Sequence, residues 1–177
     1  MARLYSAAMT DSTRTAIYAG SFDPPTLGHL ALIRRAVRLT DRLILGVGVN
    51  HRKRSWFDAA ERIDMLQQAC AAADLAVEVT SFEGLVVEFA RAQGASVMIR
   101  GVRSAADVAF EQQNALCNQA LAPEVETVLL FAEPDTAFIS STMAREVAIS
   151  GGDASPWLPP CLAAQVAERA GELRAAP

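Results

Sequence analysis

The sequence predicts an α/β fold: a doubly wound, five-stranded parallel sheet in a single domain over residues 15–175. Three observations predict it. Apolar runs of strand length alternate with stretches of helical periodicity from Arg14 to Arg174, the pattern of successive βαβ units. The run Leu43-Ile44-Leu45-Gly46-Val47-Gly48-Val49 is continuously apolar, as expected of a strand covered on both faces. The stretch Ile17 to His29 reads as a buried strand, a turn of small and rigid residues, and a helix start.

Each element has its own reason. Residues 1–14 are polar and aperiodic and read as a flexible N-terminal tail. Strand one runs from Arg14 to Ala19. A helix over Leu27 to Leu39 follows, with Leu30, Ile33, Ala36 and Val37 on one face and Arg34, Arg35 and Arg38 on the other. Strand two spans Arg42 to Val49, and a basic loop, His51-Arg52-Lys53-Arg54, comes next. Asp58 then caps a helix to about Ala73, with Glu61 as its capping-box partner. Strand three is placed at Leu75 to Thr80, a short helix at Gly84 to Gln93, and strand four at Ser96 to Ile99. A long helix covers Ala105 to Leu121 and stops before Pro123. Strand five covers Val125 to Phe131, and a helix lies within Ile139 to Ser150, ending at Gly151-Gly152. A last helix follows Pro159-Pro160 and reaches about Arg174.

Composition narrows the function classes. The chain has 177 residues, is 51% hydrophobic, and carries a net charge of -4. An acidic total argues against a polynucleotide partner but leaves room for small anions at a local basic cluster. No apolar run has the length of a membrane span, and Met1 to Arg14 lacks the apolar centre of a secretory signal. Cys70, Cys117 and Cys161 are far apart and odd in number, which points to free thiols in a reducing cytoplasm. Among 16 basic residues Lys53 is the sole lysine, a point charge where arginine would present a planar fork.

Ligands of open α/β sheets bind beyond the carboxyl ends of the strands. There the sequence gathers His29 after strand one, Lys53 after strand two, and Arg100 and Arg103 after strand four. Four groups that are or can become cationic, in an acidic chain, imply a ligand with several phosphates. In Thr26-Leu27-Gly28-His29, first-turn N–H groups and the helix dipole favour an anion, Gly28 admits it closely, and His29 can donate to it. The simpler alternative, a histidine that only packs at a helix start, is weighed against the setting of Gly20-Ser21-Phe22-Asp23-Pro24. Asp107 and Glu111 share a helix face, and Glu111 can accept from a nucleotide. Ser140, Ser141 and Thr142 place three hydroxyls at a helix start, more than capping requires. No zinc spacing, Ser-His-Asp set or paired glycosidase carboxylates are evident.

These motifs together resemble the bacterial phosphopantetheine adenylyltransferases over residues 15 to about 168. The resemblance rests on Ala19-Gly20-Ser21-Phe22-Asp23-Pro24 with Gly28-His29, Lys53 ahead of Phe57, and Ile99-Arg100-Gly101-Val102-Arg103. It continues with Asp107, Glu111, Asn118, and Phe138-Ile139-Ser140-Ser141-Thr142. It implies a Rossmann-like nucleotidyltransferase fold and transfer of AMP from ATP to 4'-phosphopantetheine, giving dephospho-coenzyme A and pyrophosphate. It further implies that Ser21 contacts both substrates and that His29 stabilises the transition state. Lys53, Leu85, Val86 and Arg100 are implied to bind phosphopantetheine. Phe22, His29, Gly101, Val102, Arg103, Glu111, Thr136, Ala137, Phe138, Ile139, Ser140, Ser141 and Thr142 are implied to hold ATP. Magnesium as cofactor, with no protein metal site assigned, and a homohexamer built as a dimer of trimers are also implied. The chain departs from the family's usual residues at Leu27, Ala31, Phe110, Gln119 and Thr142. Two rivals remain: a nicotinate or nicotinamide mononucleotide adenylyltransferase, and a nucleotide-binding module without turnover.

Overall fold

The computed structural model describes residues 13–52 and 54–175. Of the expected tail over residues 1–14, residues 1–12 lie outside the described residues, as does Lys53. Five parallel strands make one sheet: β1 (Thr15–Gly20), β2 (Arg42–Val49), β3 (Glu78–Glu83), β4 (Val97–Val102) and β5 (Glu126–Phe131). Their order is β3-β2-β1-β4-β5. The winding therefore reverses between β1 and β4, and a crevice opens at their carboxyl ends. Between the strands lie α1 (Leu27–Ala36), α2 (Ala59–Ala72), α3 (Val86–Ala92) and α4 (Ala105–Leu121). After β5 come α5 (Ser141–Ile149), two short 3-10 turns, and α6 (Ala163–Ala175).

Alternation along the strands builds two cores. Ala16, Tyr18, Leu43, Leu45, Val47 and Ile99 point to the face that holds Ile33, Met65, Leu66, Ala144 and Leu162. Their neighbours Ile17, Ile44 and Met98 point to the opposite face, against Val87, Phe89 and Ala90. Both faces of the central strands are thus dry, which is why β2 reads as a continuous apolar run.

Three expected boundaries move. β3 begins at Glu78 rather than Leu75, and its register pairs Ile44 with Glu78 through Val49 with Glu83. An edge strand has one neighbour and an exposed flank, so its residues alternate as Glu-Val-Thr-Ser-Phe-Glu and escape a search for apolar runs. β4 runs on through Arg100 and Gly101 to Val102, which pair with Leu129, Leu130 and Phe131. Arg100, Gly101 and Val102 therefore lie within the strand, not beyond it. α1 ends at Ala36, and Val37 is its C-cap. The other elements agree with expectation to within a few residues, and Asp58 and Glu61 form the expected capping box.

Candidate active site

The turn after β1 packs around Phe22. Phe22 takes a left-handed backbone conformation, φ 47°, unusual for a non-glycine residue. Its ring is fully buried, 5.5 Å from Tyr18 and 5.0 Å from His29 between ring centroids. The aromatic side chain is a floor beneath the turn, and Phe22 is not among the residues that line either cleft described below. Thr26 caps α1 in a capping box with an unusual third-position partner, His29. The Thr26 backbone N–H donates to His29 Nδ1 at 3.0 Å. Accepting that bond leaves the ring proton on Nε2. His29 is thus both a cap and an oriented donor; the two roles use different nitrogens. Burial, and then the charge of Arg103, press its pKa down from 6.5 to about 4, so the ring is neutral at pH 7.

A cleft of about 290 Å³ is lined by Tyr18, Gly20, Ser21, Thr26, Gly28, His29, Arg100, Arg103, Thr136 and Ser140 to Thr142, among others. Two helix N-termini open on it, those of α1 and α5. At Gly28 an added Cβ would come within 3.3 Å of the Ile139 carbonyl and 3.5 Å of the Thr136 carbonyl. The missing side chain lets the 136–139 turn close against α1. The three hydroxyls divide their work. Ser140 accepts from the Met143 N–H at 3.1 Å, and Ser141 donates to the Pro24 carbonyl at 2.8 Å. Thr142 is exposed on the cleft wall.

Arg100 is held by its fork. Nε and Nη2 donate to Glu111 at 2.8 and 2.7 Å, and Nη1 donates to the Ala19 carbonyl at 2.9 Å. Of five guanidinium N–H groups, those three bonds leave two for a ligand. Burial opposes the charge on Arg100, but hydrogen bonding and the charge of Glu111 outweigh it, and its pKa rises. Glu111 is the one buried residue of α4, and it faces Arg100. Asp107 serves Arg103, accepting from its backbone N–H at 2.8 Å and its Nε at 3.3 Å. The backbone bond comes first among the causes that lower the Asp107 pKa. Gly101 faces α1, where a Cβ would fall 2.3 Å from Leu32 Cδ1, and Val102 is fully buried. Side chains at both positions belong to the packing of β4. Ala137 and the exposed Phe138 stand in the turn before Ile139, which is buried.

A second, open cleft of about 630 Å³ lies beyond β2 and β3. It is lined by Ser21, Gly48, Val49, Asn50, His51, Arg52, Phe82, Glu83 and Gly84. His51 and Glu83 meet across it at 3.1 Å. Leu85, more than half exposed, and Val86 follow Gly84 in the chain. Ser21 belongs to the walls of both clefts.

Sequence reasoning missed four residues. Tyr18 lies inside an apolar run, yet it lines the first cleft. Burial pushes its pKa up to about 12 against the charges of Arg100 and Arg103, so it stays a neutral phenol. Arg62 is buried, and its Nη1 donates to the carbonyls of Ser21 at 2.8 Å and Gly48 at 3.0 Å. That tie fixes Ser21 between the clefts. Its signal was present: Arg62 precedes Met65, Leu66 and Ala69 at helical spacing, on the apolar stripe. Asp23 and Arg145 form the third and fourth, 2.8 Å apart.

Among the described residues no three His, Cys, Asp or Glu side chains converge as a metal site. Around the first cleft Glu111, Asp107 and Asp23 are each engaged by an arginine. A divalent ion would have to rely mainly on oxygens brought by a ligand.

Two helix N-termini, an oriented imidazole and two arginines at the switch point of a parallel sheet make a site suited to a polyphosphate ligand. Residues 17–147 match the cytidylyltransferase-like family. The chain is 44% identical to the phosphopantetheine adenylyltransferase of Heliobacterium modesticaldum over 157 residues, covering 89% of this chain and 93% of that one. It is 45% identical to that of Acidovorax sp. over 161 residues, covering 91% and 97%. The chain belongs to the phosphopantetheine adenylyltransferase family. In fold it is also similar to the Plasmodium falciparum nicotinic acid mononucleotide adenylyltransferase, with a TM-score of 0.65, 14% identity, and 93% and 97% of the two chains covered.

Proposed function

We propose that the chain transfers AMP from ATP to the phosphate of 4'-phosphopantetheine, forming dephospho-coenzyme A and releasing pyrophosphate. The observation that carries this reading is Ser21, which stands in the walls of two clefts at once. The first cleft suits a nucleoside triphosphate, and the second suits an extended acceptor. In this reading His29 Nε2–H donates to an α-phosphate oxygen, with the first-turn N–H groups of α1 beside it. The N-terminus of α5 and Arg103 take the β- and γ-phosphates. Arg100 offers its two remaining N–H groups to the acceptor, with Lys53 assigned to the same substrate by the family resemblance.

The acceptor phosphate is already ionised at neutral pH, so no general base is needed. Its oxygen attacks the α-phosphorus, the bond to the β-bridging oxygen breaks, and pyrophosphate leaves with the electron pair. Catalysis then consists of holding two polyanions in line and stabilising charge as it builds on the α-phosphate. Magnesium would enter with ATP, held mainly by phosphate oxygens, and would offset the charge of the leaving pyrophosphate. The reaction belongs in the cytoplasm, where free Cys70, Cys117 and Cys161 are stable. No described helix is long and apolar enough to cross a membrane. A homohexamer is what the family resemblance implies, and the exposed Phe110, Leu116 and Leu121 of α4 support a contact between copies.

The test is pyrophosphate release from ATP with 4'-phosphopantetheine and, in parallel, with nicotinate mononucleotide. Turnover with phosphopantetheine is expected. Turnover only with the nicotinate substrate would replace this reading with its rival, and ATP binding without turnover would favour a regulatory module.

A further inference from the structure

One buried carboxylate joins three walls of the site. Asp23 sits in the β1–α1 turn and is only 2% exposed. Its Oδ2 accepts the Trp56 N–H at 2.9 Å and its Oδ1 the Phe57 N–H at 3.0 Å. Those two amides close the loop that leaves β2, the loop that contains Lys53. Arg145, on α5, donates through Nη1 to Asp23 Oδ2 at 2.8 Å and to the Asp23 carbonyl at 2.9 Å. Ser141 adds a second tie from α5 to the same turn, at the Pro24 carbonyl. Among the described residues the nucleotide-side helix and the acceptor-side loop share no direct hydrogen bond; each is bonded to Asp23.

Such a joint has a physical consequence. A buried carboxylate is strongly stabilised by its partners, and removing one leaves charge poorly compensated. A shift of α5 that strains the Arg145 bond must be answered by Asp23, and Asp23 can move only by disturbing the Trp56 and Phe57 amides. We propose that the Asp23–Arg145 pair is a positioning element that couples the nucleotide half-site to the acceptor half-site. Ordering of α5 by ATP then orders the acceptor loop. The proposal rests on the two-substrate reading above. Neither residue lines either cleft, so both act through the segments they hold.

Two experiments test it. In steady-state kinetics, Arg145→Gln is expected to raise the KM for 4'-phosphopantetheine about tenfold, within the usual range of coupling between sites. The KM for ATP is expected to change less, although Arg145 stands on the nucleotide-side helix. Arg145→Lys, which keeps a charged donor for Oδ2, is expected to recover most of the loss. An unchanged acceptor KM in Arg145→Gln would overturn the coupling, as would losses in both variants that simply follow a fall in Tm. The second experiment needs no variant. Amide exchange at Trp56 and Phe57 of the wild-type protein is measured with and without α,β-methylene-ATP, which cannot be cleaved at the transferring bond. Slower exchange with the analogue alone is expected, and unchanged exchange would overturn the proposal. Failure of wild-type turnover with phosphopantetheine would instead remove the functional reading itself, so the two failures are distinguishable.

Discussion

His29 concentrates the chemistry in one side chain whose two nitrogens have separate duties. Nδ1 is committed to the Thr26 N–H, and only Nε2 faces the work. His29→Ala is expected to lower kcat by about 10²-fold or more, the scale of losing one donor to developing charge. Unchanged kcat would end its assignment. The acid–base state is also testable. An NMR titration of the ring is expected to show the Nε2–H tautomer and a pKa near 4. The linkage to stability has a definite sign. The unfolded chain binds a proton near pH 6.5, while the folded protein resists it until about 4. This contribution to stability is therefore complete above pH 6.5 and is lost as the pH falls towards 4. His29→Gln is expected to flatten that part of the stability profile measured by urea unfolding. A profile as steep as wild type would mean that the histidine is not protected from protonation. The sequence could suggest this residue because Gly28 and the preceding turn are local features. It could not show the neutral state, which depends on Phe22 beneath the ring and Arg103 across the cleft, 74 residues away by position in the chain.

At the scale of the element, the legible parts were those whose signal is local. Asp58 and Glu61 announce α2 by three-residue spacing, and α4 stops before Pro123. β3 was misplaced because an edge strand is specified by its partner β2 more than by its own residues. The same pairing explains Gly46. It lies within the continuously apolar run of β2, where a Cβ would meet Phe89 at 2.5 Å and Phe82 at 3.2 Å. Those rings stack with centroids 4.6 Å apart, so neither has an easy retreat. Gly46→Ala is expected to destabilise the fold by about 1–3 kcal/mol, the usual cost of overpacking, read as a lower urea midpoint. The shift should be larger than that of Gly171→Ala on α6, where nothing lies within 4 Å. Equal effects at the two glycines would show that the aromatic stack yields freely.

At the scale of the whole molecule, the centre of the sheet is covered on both faces, while the flank formed by α4 and β5 stays exposed. α1, α2, α5 and α6 cover one face with a large core. α4, by contrast, buries only Glu111 along 17 residues. Phe110 is 60% exposed and Leu121 46% exposed, and with the exposed Cys117 they fall on one stripe at i, i+7 and i+11. α4 packs on β5, itself an edge strand that ends in Phe131 at 65% exposure. An edge strand beside an apolar helix stripe is a costly surface to leave in water. Its position also explains why sequence periodicity could find the helix but not its partner: the stripe is apolar whether a core or another subunit covers it. If copies of this chain cover it in the proposed hexamer, then Phe110→Glu combined with Leu121→Glu should dissociate the assembly. Sedimentation equilibrium is expected to give six copies for the wild type and a smaller species for the double variant. The first cleft is lined by elements of this chain, so the dissociated form should still bind ATP measurably by calorimetry. A wild-type monomer at micromolar concentration would refute the assembly, and a double variant that sediments like wild type would move the interface away from α4.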